Sequence, residues 1–287
     1  MMGKYIQESE LINSSFDCFC INLATAGSLS DIGHISLKKL LKYFFLLKHI
    51  SNVVREIRPE LVYITPNAGR KAFFKDFIVV QMLKSMGCKV IAHYHNKGVS
   101  VYQSKWVYNF FYKRFFSNLK VILLAENLYK DMAKYVKRED VYICPNGIPS
   151  SCKEEMEARR NNVIPHLLFL SNLLISKGVI VLLDALRILK EKGYLFNCQY
   201  VGGETAEINA MQFVVEVERR KLNDRVAYAG RKVGEEKNTF FQQADIFILP
   251  TMNECFPLVI LEAMEYKLPV ISTNEGGIPD IVKDGEN

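Results

Sequence analysis

Glu254 and Glu262 stand eight residues apart in the stretch LPTMNECFPLVILEAMEYKLPVISTNEGGIPDIV. Residues 245–250 (DIFILP) predict a short buried strand, and residues 257–266 (PLVILEAMEY) predict a helix. Pro257 falls near the first turn of that helix, where a missing N–H costs nothing. Backbone N–H groups of Cys255, Phe256 and Leu258 would then point at an anion above the strand end. Two carboxylates beside such an end suit a ligand that carries both hydroxyl groups and negative charge. Glu262 in particular interrupts an apolar run, LVILEAM, where a buried carboxylate needs partners.

Other residues offer complementary chemistry. Lys177-Gly178 opens a predicted helix just beyond the strand LLFLS, so its ammonium can neutralise a departing phosphate while the glycine lets backbone approach closely. Gly202-Gly203-Glu204 closes another strand. His93 and His95 follow the strand KVIA, and alternation places both imidazoles on one side near its carboxyl end. No cluster of His, Cys and Asp has metal-ligand spacing, and no Asp-x-Asp follows a strand. A metal-independent reaction is therefore expected. A dehydrogenase is disfavoured, because neither half has a tight G-x-G-x-x-G after its first strand.

These residues need a scaffold. The first half alternates strand-like and helix-like segments: residues 16–23, SLKKLLKYFFLLKHISNVVREI, LVYIT, KAFFKDFIVVQMLKSMG and KVIAHYH. An aromatic helix, VILLA, a helix at 127–137 and VYICPNG follow. Polar residues 150–163 break the pattern and predict a linker. A second series then runs LLFLS, a helix at 177–192, FNCQYVGG, a helix at 205–221, VAYAG, a helix at 235–243, DIFILP, the helix at 257–266 and PVISTN. Short apolar strands separated by amphipathic helices predict parallel sheets covered on both faces. The expectation is two doubly wound α/β domains, 1–150 and 151–287, with ligands at the carboxyl ends of strands and in the gap between domains. The chain stops at GIPDIVKDGEN, directly after a turn, where such a domain would need further helices. An incomplete chain is expected.

Four landmarks in order then resemble one family, the retaining glycosyltransferases of family 4 with GT-B architecture. Glu254-CFPLVIL-Glu262 matches its E-x7-E signature. EAMEYKLPVISTNEGGIPDIV looks like its sugar-nucleotide site, FLSNLLISKG (169–178) like its diphosphate grip, and VYICPNGI (141–148) like its crossing between domains. The likeness is strongest over 163–287; the first half matches by layout more than by motif. The resemblance implies a UDP- or GDP-sugar as donor, no cofactor, and a glycan or lipid-linked acceptor in surface polysaccharide synthesis. It implies that Glu254 contacts the donor sugar, that Glu262 holds ribose, and that His95 faces the sugar from the first domain. It further implies donor contacts from Lys177, Gly202, Cys255, Phe256, Pro257 and Leu258, with backbone around Arg231, Lys232 and Val233 against the base. Gly33 is the candidate from the loop GSLSDIG, where the family places a glycine-rich turn. The family usually has Arg at the position of Asn172, so neutralisation would rest more on Lys177 and backbone N–H groups. A sugar-nucleotide epimerase, a glycogen-synthase-like polymerase and a non-catalytic scaffold remain as other readings.

Charge and composition bound the setting. Residues 1–150 carry 21 Lys/Arg against 11 Asp/Glu, and the remainder 16 against 20. A basic first half suggests a polyanionic surface as partner. Residues 105–120, KWVYNFFYKRFFSNLK, could lie on anionic lipid with Trp106, Phe110, Phe111 and Phe115 on one face. Buried helix packing is the alternative, and no recognition motif supports nucleic acid. Without a signal peptide, a membrane-spanning run or a CxxC pair, the chain reads as cytoplasmic with reduced thiols, with peripheral attachment to the inner face of the cytoplasmic membrane as the finer expectation.

Overall fold

The computed structural model describes residues 6–23, 37–149 and 162–286. The chain divides into two compact units, residues 1–63 with 70–90, and residues 64–69 with 91–287. In the first unit, a short helix α1 (Glu10–Ser15) precedes the long helices α2 (Leu37–Ile57) and α3 (Arg70–Ser85). Ile50, Val54, Phe73, Val79, Val80, Leu83 and Val90 are its buried hydrophobic residues among those described, and the Tyr43 hydroxyl donates to the Lys75 carbonyl at 2.6 Å. Burying that hydroxyl raises its pKa to about 12, with Asp76 adding to the effect.

Strands β1 (Leu61–Ile64), β2 (Lys89–Tyr94), β3 (Lys120–Leu123) and β4 (Val141–Ile143) lie in the order β1-β2-β3-β4. β2 pairs β3 and β3 pairs β4 in parallel. Helix α4 (Val99–Tyr102) and helix α5 (Trp106–Phe116) follow β2. Two expectations fail here. Residues 16–23 form no strand: Phe16 and Phe19 are exposed, and the segment is not part of either sheet. Residues 127–137 do not form an α-helix either. A 3-10 turn spans Glu126–Asp131. Its groups are drawn outward, since Asp131 accepts from the N–H groups of Gly98, Val99 and Ser100. Asp280 accepts from those of Glu126 and Asn127.

The second parallel sheet comprises β5 (His166–Leu170), β6 (Asn197–Val201), β7 (Val226–Tyr228), β8 (Ile246–Leu249) and β9 (Val270–Ser272). Its order is β7-β6-β5-β8-β9. The chain therefore builds outward on one side of β5 and then returns to build on the other. That reversal opens a crevice beyond the carboxyl ends of β5 and β8. Helices α6 (Val179–Glu191), α7 (Ala210–Arg219), α8 (Gly234–Gln243) and α9 (Leu258–Glu265) connect the strands. α6 buries Val179, Leu182, Leu183 and Leu186, an apolar stripe at the helical repeat. α7 starts in a reciprocal cap between Asn209 and Gln212. Phe169, Tyr200, Phe213, Phe241, Phe247 and Ile260 fill the core between these layers.

Two features of this frame bear on position and on pH. Gly178 has φ +84°, and a Cβ there would meet the Pro250 carbonyl oxygen at 2.1 Å. The loops after β5 and β8 are thus in backbone contact. His93 is buried beside His95, with ring centroids 4.1 Å apart on the same side of β2, as the alternation required. Burial, reinforced by His95, pushes the His93 pKa down to about 4.

Gly178→Ala is expected to cost about 3 kcal/mol or more in urea unfolding, from left-handed strain plus overpacking. Gly193→Ala, with φ +81° and nothing within 4 Å of the added Cβ, should cost only about 1 kcal/mol. Equal losses would contradict the close approach. For His93, the unfolded chain binds a proton near pH 6.5 and the folded chain only near pH 4. Stability from the neutral ring is complete above pH 6.5 and lost as pH falls towards 4. His93→Gln should remove up to roughly 3 kcal/mol of that decline. Parallel stability profiles for the two proteins would contradict it.

Candidate functional site

The loops after β5 and β8 carry the central pair. Lys177 ends a 3-10 turn over Ile175–Lys177, and its Nζ donates both to Glu254 Oε2 and to the Asn253 carbonyl, the latter at 3.0 Å. The side chains are 20% and 17% exposed, so the pair is largely screened from bulk water while still open on one side. Backbone brings them together. The Met252 N–H donates to the Ser176 carbonyl at 2.8 Å, and the Thr251 hydroxyl to the same oxygen at 3.2 Å. Residues 77 positions apart are therefore placed by main-chain contacts rather than by the attraction of their charges alone.

Beyond Glu254 the chain turns into α9. Pro257 has extended dihedrals and stands just before the helix, which begins at Leu258. The Cys255 N–H is not free as expected; it donates to Glu254 Oε1 at 3.2 Å. A side chain that folds back on its own peptide takes the bond locally. Phe256 is buried, and burial with the Glu254 charge raises the Cys255 thiol to about 12, so it is no nucleophile near neutrality. Gly276 (φ +57°) lies against Glu254, where a Cβ would meet its carbonyl oxygen at 2.2 Å. The Gly277 N–H donates to the Cys255 carbonyl at 2.7 Å. The Gly-Gly turn thus backs the Glu254 segment without a side chain between them.

Glu262 lies about one turn inside α9 and is paired through Oε1 with Lys237 Nζ of α8 at 2.7 Å. Sequence reasoning missed Lys237, which sits in a polar helix 25 residues away with no motif around it. It also missed Lys97, which is ion-paired with Glu275, and Asn127, whose amide donates to the Gly276 carbonyl at 2.8 Å. These link the β2–α4 loop and the turn after β3 to the Gly-Gly turn, all within the second unit.

On the other side of β5, the Asn172 Oδ1 accepts the Gly203 N–H at 3.1 Å. Gly202 has φ +156°, and a Cβ there would meet the Ser171 carbonyl oxygen at 1.8 Å. Arg231, Lys232 and Val233 follow β7 at the same edge; Lys232 reaches Glu236 at 3.4 Å, and Val233 caps α8 with its side chain exposed. His95 follows β2 directly. Both of its ring nitrogens are buried without a hydrogen-bond partner among the described residues, and burial holds its pKa below the ordinary value. Gly33 lies outside the described residues. In α5, Tyr112, Phe115 and Phe116 are fully buried, whereas Trp106 and Phe110 are exposed. The single apolar face expected to include Phe115 is therefore split, because Phe115 packs inward. A hollow of about 310 Å³, lined by His166, Asn197, Asp224, Arg225 and Gln243 among others, lies at the opposite, amino-terminal edge of the second sheet and holds none of these candidates.

Residues 157–287 match the family of glycosyl transferases group 1. The chain is 25% identical over 237 residues to the amylovoran biosynthesis glycosyltransferase AmsK of Erwinia amylovora, an alignment covering 75% of this chain and 57% of that protein. It thus spans little more than half the length of that relative. Its fold is similar to that of sucrose-phosphate synthase from Thermosynechococcus elongatus, with a TM-score of 0.68 at 20% identity, over 93% of this chain and 68% of the other. It is also similar to HepE from Anabaena, solved in complex with UDP, with a TM-score of 0.65 at 18% identity, over 84% and 66%. No helix among the described residues is long and apolar enough to cross a membrane. Over residues 157–287 the chain is thus similar to the group 1 glycosyl transferases, and its α/β sheets, with a topological reversal beside Lys177 and Glu254, share the fold of these solved structures.

Proposed function

We propose that this chain moves a sugar from a nucleotide-sugar donor to a hydroxyl of a glycan or lipid-linked acceptor, with retention of anomeric configuration. The observation that carries the reading is the Lys177–Glu254 pair at the reversal of the second sheet. A cation that can face a leaving phosphate stands beside a carboxylate that can face sugar hydroxyls. Residues 151–287 form the donor side and residues 1–150 the acceptor side. The donor is a UDP- or GDP-sugar, and the likeness to a fold solved with UDP supports a nucleoside diphosphate.

In this account the acceptor oxygen bonds to the anomeric carbon as the bond from that carbon to phosphate oxygen breaks. The leaving phosphate takes the acceptor proton on the same face. Lys177 stabilises the charge that develops on it, while Asn172, Gly202 and the backbone at Cys255, Phe256, Pro257 and Leu258 line its path. Glu254 and the neutral His95 orient the sugar. Glu262, with Oε1 on Lys237, turns its other oxygen to the ribose, and the backbone at Lys232 and Val233 meets the base. Gly33 is a further donor contact. Charge on the donor is handled by these groups without a metal ion.

The setting is surface polysaccharide synthesis in the cytoplasm, with peripheral contact on anionic membrane through residues 105–120. Trp106 and Phe110 are exposed there beside Lys105, Lys113 and Arg114, and the relative named for amylovoran biosynthesis supports the pathway class. One preorganised charge contact is worth roughly 3–4 kcal/mol in the transition state. Lys177→Ala should therefore slow donor turnover about 100- to 1000-fold, measured with whichever nucleotide sugar stabilises the protein in a thermal-shift screen. An unchanged rate would refute the role of Lys177, and a protein that turns over no nucleotide sugar would refute the transferase reading.

A further inference from the structure

The carboxyl edge of the second sheet presents three cations in its loops: Lys177 after β5, and Arg231 and Lys232 after β7. Lys177 is neutralised by Glu254, and Lys232 lies within 3.4 Å of Glu236. The side chain of Arg231 has no ion pair or hydrogen bond among the described residues, and it is exposed. Its stem is nonetheless placed. A Cβ built on Gly203 would lie 3.9 Å from Arg231 Cδ and 3.0 Å from Asn172 Oδ1. Arg231 and Asn172 thus flank the same bare glycine, on the β6 side of the reversal, and only a residue without a side chain leaves the space between them open. The Asn172 side-chain Oδ1 already accepts the Gly203 N–H, and its amide is neutral.

A nucleoside diphosphate brings more negative charge than one ammonium, already shared with a carboxylate, can balance. A planar guanidinium can hold two phosphate oxygens at once. We propose that Arg231 is a second cation of the donor site, its guanidinium reaching across Gly203 to the diphosphate from the side opposite Lys177. This inference rests on the donor-site reading above and adds to it a residue that acts by side chain, where only backbone was assigned. Arg231 contributes to the diphosphate alone; the nucleoside does not depend on it.

Titration of UDP, GDP, uridine and guanosine into the full chain, by calorimetry or ligand-observed NMR, separates the two readings. Wild-type protein should bind one diphosphate more tightly than its nucleoside. Arg231→Ala should weaken that diphosphate at least tenfold and leave the nucleoside within twofold. Asn172→Arg added to Arg231→Ala should recover most of the loss, because position 172 borders the same glycine. Diphosphate affinity within twofold of wild type in Arg231→Ala would overturn the inference alone, as would equal losses for diphosphate and nucleoside. Wild-type protein that binds none of the four would overturn the donor site itself, and this inference with it.

Discussion

Backbone contact between the loops that leave β5 and β8 is the constraint on which the site depends. Ser176 receives the Met252 N–H and the Thr251 hydroxyl, and Gly178 rests on Pro250. Each contact needs a specific feature of the chain: a glycine at φ +84° in one loop, a hydroxyl in the other. Together they fix Lys177 and Glu254 as neighbours before any ligand arrives. A half-buried ion pair of this kind is weak evidence for stability, since desolvation offsets much of the attraction. Its placement at the sheet's reversal, where parallel sheets bind ligands, gives it a functional reading.

The same logic extends around the Glu254 segment. Gly276 and Gly277 back it closely, and Asn127, Asp280, Lys97 and Glu275 tie that Gly-Gly turn to the loops after β2 and β3. In the 3-10 turn over Glu126–Asp131, the Leu128 and Met132 N–H groups bond locally to the Ala125 and Tyr129 carbonyls, while those of Glu126 and Asn127 go to Asp280. Buried His93 and partly buried His95 stand at the end of β2, both held below the ordinary histidine pKa by burial.

Much of the second sheet was legible because its strands are covered on both faces and so read as unbroken apolar runs. LLFLS and DIFILP became β5 and β8, and the spacing of Glu254 and Glu262 put one in a loop and the other in a helix. Partners across the chain were not legible. Lys237 lies in a polar helix, and Lys97 meets Glu275 across 178 positions; neither spacing carries a local signal. Residues 16–23 read as a strand yet join neither sheet, since pairing is a property of the sheet and not of the segment. Phe115 joined the core for a similar reason: periodicity defines an apolar face on α5 but not which part of it the fold will cover.

A crystal structure of the full chain soaked with the nucleotide sugar that it binds is the most direct measurement. The account requires phosphate density against the Lys177 ammonium, with the sugar ring over the Glu254 carboxylate. Nucleotide bound in the hollow beside His166 and Asp224, with Lys177 still engaged only by Glu254 and Asn253, would contradict it.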